Sequence, residues 1–146
     1  MIDTSVLIRY LIKPSAANRT LVEVLWVDDR FLTVSSPDLV GELEGVLARP
    51  SLEHLIHPDE GAALVGTIRA RAEMLPALGV IPEYTRDRKD DKFVACAIAG
   101  LADYLVTTGE AILVLGEPFD VRMVTPRQFV ADLGDIEPIV VAPSME

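Results

Sequence analysis

Residues 87–107 read DRKDDKFVACAIAGLADYLVT, and the class of fold can be inferred from this stretch. A charged loop leads into DKFVACAIAGLA, which is apolar on almost every side and therefore predicts a buried helix. ADYLVT follows directly and predicts a strand. A buried helix that passes straight into a strand indicates a domain in which helices and strands alternate.

The same alternation extends over the rest of the chain. Before this stretch, the hydrophobic pattern predicts helices and strands in turn, with helices over 4–13, 16–29, 37–48 and 58–75 and strands over 31–35 and 79–84. After it, a strand is predicted over 121–125, and a helix follows Thr125, which has capping-box spacing to Gln128. This order predicts an α/β fold with a mainly parallel sheet, which would bind ligands at the carboxyl ends of its strands.

Composition indicates one water-soluble domain. The chain has 146 residues, of which 50% are hydrophobic and 25% charged, without an apolar run of the roughly 18 residues that suggest a membrane helix. The N-terminus lacks the basic region of a signal peptide, and Cys96 is the only cysteine, so we expect a cytoplasmic protein without disulfides. The net charge of −10 argues against nonspecific nucleic-acid binding and favours a basic partner.

Several enzyme classes lack their motifs in this sequence. G-x-G-x-x-G, the P-loop and G-x-S-x-G are absent, so nucleotide-cofactor enzymes and serine hydrolases have little support. A phosphatase would need a phosphate-binding loop, which we do not find. His54 and His57 are three residues apart without a third zinc ligand nearby, so we expect them to be surface residues.

Three acidic positions differ from the remaining carboxylates in their surroundings. Asp3 stands just before an apolar helix, Glu42 lies in the helix that follows the second strand, and Asp91 ends a run with Asp87 and Asp90. Shared chemistry at the strand ends is one interpretation. Each residue also has an ordinary alternative, because an aspartate can cap a helix and a helical glutamate can be solvated.

Four segments resemble the PIN-domain nucleases, in the order expected for that family. Residues 3–7, DTSVL, are similar to its opening D-T-N-V-L, with Ser5 as a small polar replacement for Asn. Residues 36–50 resemble its second acidic segment, 87–107 its third, and MVTPRQFV at 123–130 its closing strand and helix. The likeness spans nearly the whole chain and is greatest to the bacterial toxin components of toxin–antitoxin pairs.

The resemblance implies a three-layer α/β/α sandwich with a mainly parallel central sheet. It assigns a PIN-like domain to residues 1–137, followed by a tail, 138–146, that is either an added strand or a frayed end. Only Met1 and Ile2 precede the first acid, whereas relatives usually have several apolar residues there, so we expect a short first strand.

The resemblance also implies a metal-dependent ribonuclease. Asp3, Glu42 and Asp91 match the three acids that bind Mg²⁺ or Mn²⁺, and Thr107 matches the hydroxyl residue that ends the fourth strand. Carboxylate oxygens suit these hard cations, which can activate water for attack on a phosphodiester. A PIN-fold binding module that has lost catalysis is the alternative.

The position of the fourth family acid departs from the pattern. Gly109 occupies it, and Glu110 stands beside it. Glu110 could act only as a peripheral ligand, or it could form a capping box with Thr107, in which each side chain binds the other residue's backbone N–H.

The expected partners are RNA, an antitoxin and a second copy of the chain. Four basic residues near the third acid could meet RNA phosphates, or they could form a solvated, charge-balanced loop: Arg86, Arg88, Lys89 and Lys92. By resemblance, a small antitoxin would cover the acidic groove, and the protein would form a homodimer.

Overall fold

The computed structural model describes residues 1–134, so the predicted tail at 138–146 lies outside the described residues. Helices α1 to α7 cover Thr4–Ile12, Ala16–Arg19, Pro37–Leu47, Pro58–Arg71, Asp91–Ala99, Glu110–Leu113 and Pro126–Gly134. Strands β1 to β4 cover Val34–Ser35, Glu73–Met74, Tyr104–Val106 and Arg122–Val124. A π-helical segment, Thr20–Trp26, continues α2, and short 3₁₀ turns occupy Pro50–Leu52 and Pro118–Asp120.

The strands pair in parallel. β1 pairs with β2, and β3 pairs with β4. On the other side of β3, the Asp3 N–H donates to the Val106 carbonyl and the Val106 N–H to that of Met1, both at 2.9 Å. The α/β class with parallel strands is therefore confirmed. The described strands form two separate pairs, so the continuous sheet of a three-layer sandwich stays a prediction.

The helices begin where the sequence places capping residues. Side chains of Asp3, Ser15 and Ser36 accept hydrogen bonds from the first turns of α1, α2 and α3. The predicted capping box before α7 also forms: the Gln128 N–H donates to Thr125 Oγ1 at 3.2 Å and the Thr125 N–H to Gln128 Oε1 at 2.9 Å. These helix starts are local signals, which is why the sequence predicts them well.

Two apolar clusters form the core. One joins α1, the segment Thr20–Trp26 and α4, and the other surrounds α5, β3 and β4. The predicted buried helix is confirmed, because side chains on several sides of α5 are buried, including Phe93, Val94 and Cys96. α5 approaches β1 so closely at Gly100 that a Cβ there would lie 3.0 Å from a methyl carbon of Val34. Any larger residue would push the two elements apart.

Two predictions between α4 and α5 are wrong. The helix predicted to reach residue 75 ends at Arg71, and residues 73–74 form β2 because their neighbours bond to the β1 segment: the Glu73 N–H donates to the Thr33 carbonyl, and the Leu75 N–H to that of Ser35. The strand predicted over 79–84 does not form. Its Pro82 lacks an N–H, and the Tyr84 N–H binds a carboxylate instead of a neighbouring strand.

None of the helices in the described part of the chain combines the length and apolar character needed to cross a bilayer.

Candidate active site

Asp3 is held in place by both carboxylate oxygens. It lies between Ile2, which forms a parallel bridge to Val106, and the start of α1, with a relative exposure of 5%. Its Oδ1 accepts from the Ser5 N–H at 3.1 Å, and its Oδ2 accepts from the Thr107 hydroxyl at 2.6 Å. Asp3 therefore caps its helix and also reaches the end of β3, so its two interpretations are compatible.

Thr107 connects Asp3 to the turn after β3. Its hydroxyl accepts from the Gly109 N–H at 3.0 Å, and its own N–H donates to the Val124 carbonyl at 2.9 Å. Because that N–H already pairs with the β4 segment, it is not available to a Glu110 side chain. The capping box between Thr107 and Glu110 is therefore absent.

The Glu110 side chain is exposed to solvent. It is 87% exposed, and one carboxylate oxygen lies 3.8 Å from an Arg86 nitrogen. At this exposure the ion pair contributes little to stability.

An open groove of about 720 Å³ brings three carboxylates together. Asp3 lies directly before α1, Glu42 in the middle of α3 and Asp90 directly before α5. Thr4, Ser5 and Thr108 also line the groove, so polar oxygens surround the acids. We call the carboxylates of Asp3, Glu42 and Asp90 the acidic floor.

The charge of Asp90 is unfavourable in this position. Burial raises the pKa of its carboxyl group above the ordinary value of 3.8, and the charges of Asp3, Asp87 and Asp91 raise it further. Lys92 opposes these effects without cancelling them. The negative charge of Asp3 therefore contributes to the raised pKa of Asp90, as expected for two carboxylates that line one groove.

Asp91 binds the loop before α5 through one carboxylate oxygen, whereas its Oδ2 is buried and has no hydrogen-bond partner among the described residues. Its Oδ1 accepts three hydrogen bonds, from the N–H groups of Tyr84 and Thr85 at 3.0 and 2.8 Å and from the Thr85 hydroxyl at 2.9 Å. Burial by itself would raise the pKa of this carboxyl group, but the hydrogen bonds outweigh burial and lower it. Asp91 does not line the groove that contains Asp3. We call Asp91, Tyr84 and Thr85 the loop anchor.

The sequence could not separate these two aspartates. Both precede the apolar run of α5, and either could cap it. The family resemblance assigns the third site position to Asp91, which stays a prediction, and the structure places Asp90 in the lining of the groove with Asp3 and Glu42.

The Glu42 carboxylate forms an ion pair with Lys92. Its Oε2 lies 2.6 Å from Lys92 Nζ, with about one third of each side chain exposed, at 34% and 31%. Lys92 reaches across from the first turn of α5 to α3. This pair neutralises one of the three acids of the floor.

The basic residues predicted to contact RNA are mostly paired. Arg86 faces Glu110, Arg88 lies 3.1 Å from Glu83, and Lys92 binds Glu42. Lys89 alone of the four lines the groove. The groove contains three further basic residues that proximity in sequence did not suggest: Arg9, Lys13 and Arg49.

One known family matches most of this sequence. The sequence model of the PIN domain matches residues 1–110, which include Asp3, Glu42, Asp90 and Asp91. The chain belongs to the PIN domain family. No curated protein and no solved structure matches it significantly. PIN domains are generally nucleases and typically use divalent metal ions.

The acidic floor of this PIN domain fits a hard divalent cation in its chemistry. Within residues 1–134, no three His, Cys, Asp or Glu side chains stand close enough together to hold one ion by themselves. Mg²⁺ usually binds one or two carboxylates and keeps several waters, so a wide site of carboxylates and hydroxyls suits it. His54 and His57 are exposed, as predicted, and His57 caps α4 by accepting from the Asp59 N–H.

Proposed function

We propose that this PIN domain is a metal-dependent endoribonuclease that acts at the acidic floor. The observation that supports this most strongly is the meeting of Asp3, Glu42 and Asp90 in one groove, although they come from distant parts of the sequence. The raised pKa of Asp90 supports it further, because mutual repulsion among carboxylates is relieved when a divalent cation binds.

Asp3, Asp90 and Glu42 would hold Mg²⁺ or Mn²⁺. The bound ion supplies activated water and charge stabilisation at the phosphate. Thr107 and Ser5 fix the Asp3 carboxylate in one orientation through their hydroxyl and N–H groups. Such supporting hydrogen bonds orient a ligand and tune its affinity. Lys92 balances the charge of Glu42 and limits repulsion of the RNA phosphate.

We further propose that the protein is the toxin of a cytoplasmic toxin–antitoxin pair and works as a homodimer. The net charge of −10 supports an antitoxin with a basic segment that covers the groove. The family supports the nuclease activity, and the resemblance to bacterial toxins supports the biological role.

A binding module with weakened or lost catalysis is the second candidate. Two observations favour it: Glu42 is already paired with Lys92, and Glu110, the carboxylate beside the fourth family position, points to solvent. Such a protein would bind RNA or an antitoxin without hydrolysing RNA.

The decisive experiment is cleavage of labelled single-stranded RNA in Mg²⁺ or Mn²⁺, with EDTA as a control. We expect wild-type cleavage that EDTA abolishes, and loss of cleavage in Asp3→Asn. Asp28→Asn is the matched control, because Asp28 is exposed and does not line the groove. RNA binding without metal-dependent cleavage by the wild type would favour the binding module.

A further inference from the structure

The basic residues that line the groove lack internal partners. Within residues 1–134, the side chains of Arg9, Lys13, Arg49 and Lys89 make no ion pair or hydrogen bond, and all four residues are exposed. They line the same groove as the acidic floor. Four exposed cations at one groove are unexpected in a chain whose net charge is −10.

Most other basic residues have an assigned role in the fold. Six lie in ion pairs with acids, namely Arg69, Arg71, Arg86, Arg88, Lys92 and Arg122. Arg30 donates to the Leu133 carbonyl. Outside the groove, only Arg19 and Arg127 among the described basic residues lack an ion pair or hydrogen bond of the side chain. The unpaired positive charge of the described chain is therefore concentrated at this groove.

One wall of the groove is a single face of α1. Ser5, Ile8, Arg9 and Ile12 repeat at intervals of three and four residues, so they share that face, and Lys13 follows at the C-terminal end of the helix. With a rise of 1.5 Å per residue, Arg9 and Lys13 are separated by about 6 Å along the helix. Asp3 lies at the N-terminal end of the same helix. The face thus leads from the acidic floor to two successive cations.

The remaining two cations come from other elements. Arg49 follows the C-terminal end of α3, and Lys89 precedes α5 in the loop that also contributes Asp90. Cations from three parts of the fold therefore border one acidic groove. A polyanion that approached elsewhere would meet a predominantly acidic surface.

We propose that Arg9, Lys13, Arg49 and Lys89 form a phosphate-binding rim that seats the backbone of a single-stranded RNA across the acidic floor. This inference deepens the proposed ribonuclease function and rests on it. The rim binds phosphates on either side of the one at the acids. It carries no base preference, because contacts to phosphate position a strand without reading its sequence.

The test compares two triple variants with equal changes in net charge. The rim variant combines Arg9→Gln, Lys13→Gln and Arg49→Gln; the control combines Arg19→Gln, Arg69→Gln and Arg127→Gln, all exposed and outside the groove lining. Binding of a fluorescein-labelled oligouridylate is measured by anisotropy over a series of salt concentrations, with EDTA present to prevent hydrolysis. Circular dichroism verifies that both variants are folded.

The salt dependence gives the expected result. Each phosphate contact contributes about −0.7 to the slope of log K against log salt for a single strand, so the rim variant should lose about 2 from the wild-type slope. The control should keep that slope. In Mg²⁺ or Mn²⁺, the rim variant should show an increased KM with kcat within about twofold of wild type, because the rim binds substrate and transition state alike.

Equal slopes for the rim variant and wild type would overturn the inference, as would an equal loss in the control or the absence of oligouridylate binding by wild type. Failure of the proposed function has a different outcome. If the wild type binds oligouridylate through the rim but does not cleave RNA, the phosphate-binding inference stands and the ribonuclease proposal is wrong. If the wild type cleaves RNA but the rim variant keeps the wild-type salt dependence of binding, the rim inference is wrong and the ribonuclease proposal stands.

Discussion

The acidic floor and the loop anchor each contain one of two consecutive aspartates. Asp90 lies in the groove with Asp3, surrounded by like charges, and its pKa is raised by burial and by those charges. Asp91 lies 2% exposed, and three hydrogen bonds from Tyr84 and Thr85 more than offset its burial, so that its pKa is lowered. Successive residues at a helix start are rotated by about 100°, which directs the two carboxylates to different regions.

The difference shows how one helix start can serve function and stability separately. Three N–H and O–H donors stabilise the ionised form of Asp91 through Oδ1, while its buried Oδ2 has no hydrogen-bond partner among the described residues. Burial and the neighbouring carboxylates disfavour the ionised form of Asp90, and a bound cation would favour it. A carboxylate whose pKa is raised in a groove is a candidate for function, and one that binds the backbone stabilises the fold.

The largest effect is expected for Asp3→Asn, which tests the floor as a whole. Loss of a metal-binding carboxylate removes several kcal/mol of transition-state stabilisation, so kcat/KM should fall by about 1000-fold. Single-turnover RNA cleavage in Mn²⁺ measures this change. Cleavage within a few-fold of wild type would exclude Asp3 from the site.

The next effect distinguishes the two aspartates directly. Asp90→Asn should reduce RNA cleavage by about 100-fold, because it removes a groove carboxylate. Asp91→Asn should leave cleavage within about fivefold at a temperature where the protein is folded, while costing about 1–3 kcal/mol of unfolding free energy through weakened hydrogen bonds. Cleavage rates and urea denaturation of both variants provide the measurements. The reverse pattern would restore Asp91 to the third site position.

Thr107→Val tests the connection between β3 and the floor. It removes the 2.6 Å hydrogen bond to Asp3 and the bond from the Gly109 N–H, while preserving side-chain shape. Cleavage should fall by about 10-fold, the lower end of the range for groups that orient a metal ligand. Thr107→Ser retains the hydroxyl and should recover most of the loss in the same assay. Equal activity of the Val variant and wild type would show that the bond does not position Asp3.

The pH dependence of stability should have opposite signs for the two aspartates. The lowered pKa of Asp91 stabilises the fold above the ordinary value of 3.8, and this contribution is lost as pH falls through the lowered pKa. The raised pKa of Asp90 destabilises the fold as pH rises from 3.8 through the raised pKa. At neutral pH, Asp91→Asn should therefore be less stable and Asp90→Asn more stable than wild type. Denaturation across this pH range measures both differences, and equal signs would contradict the assignment.

Glu110→Ala should have the smallest effect. Its side chain is 87% exposed and 3.8 Å from Arg86, so both RNA cleavage and unfolding free energy should stay close to the wild-type values. A 10-fold loss of cleavage in the Mn²⁺ assay would instead place Glu110 at the metal and contradict its orientation.

The features that depend on residues close together in the sequence could be predicted from it. The serine caps of α2 and α3, the Thr125 capping box and the buried helix α5 follow from local spacing and hydrophobicity. The α/β class followed from their order. The family resemblance identifies Asp3 and Thr107 as site positions, and in the structure a hydrogen bond joins their side chains.

The remaining features depend on contacts between distant parts of the chain. β2 has only two residues, and its location is fixed by pairing with β1 rather than by its own pattern. Asp90 and Asp91 have the same local environment in the sequence and differ only in what the fold places opposite each. Arg9 and Arg49 reach the groove from α1 and from the end of α3, so proximity in sequence to the third acid could not identify them.

The most direct test of the central claim is Mn²⁺ binding by isothermal titration calorimetry to wild type, Asp90→Asn and Asp91→Asn. The claim is that Asp3, Glu42 and Asp90 form a metal site while Asp91 stabilises the loop. We expect wild type and Asp91→Asn to bind Mn²⁺ with similar affinity, and Asp90→Asn to bind at least about 10-fold more weakly. Unchanged binding by Asp90→Asn together with lost binding by Asp91→Asn would contradict that claim.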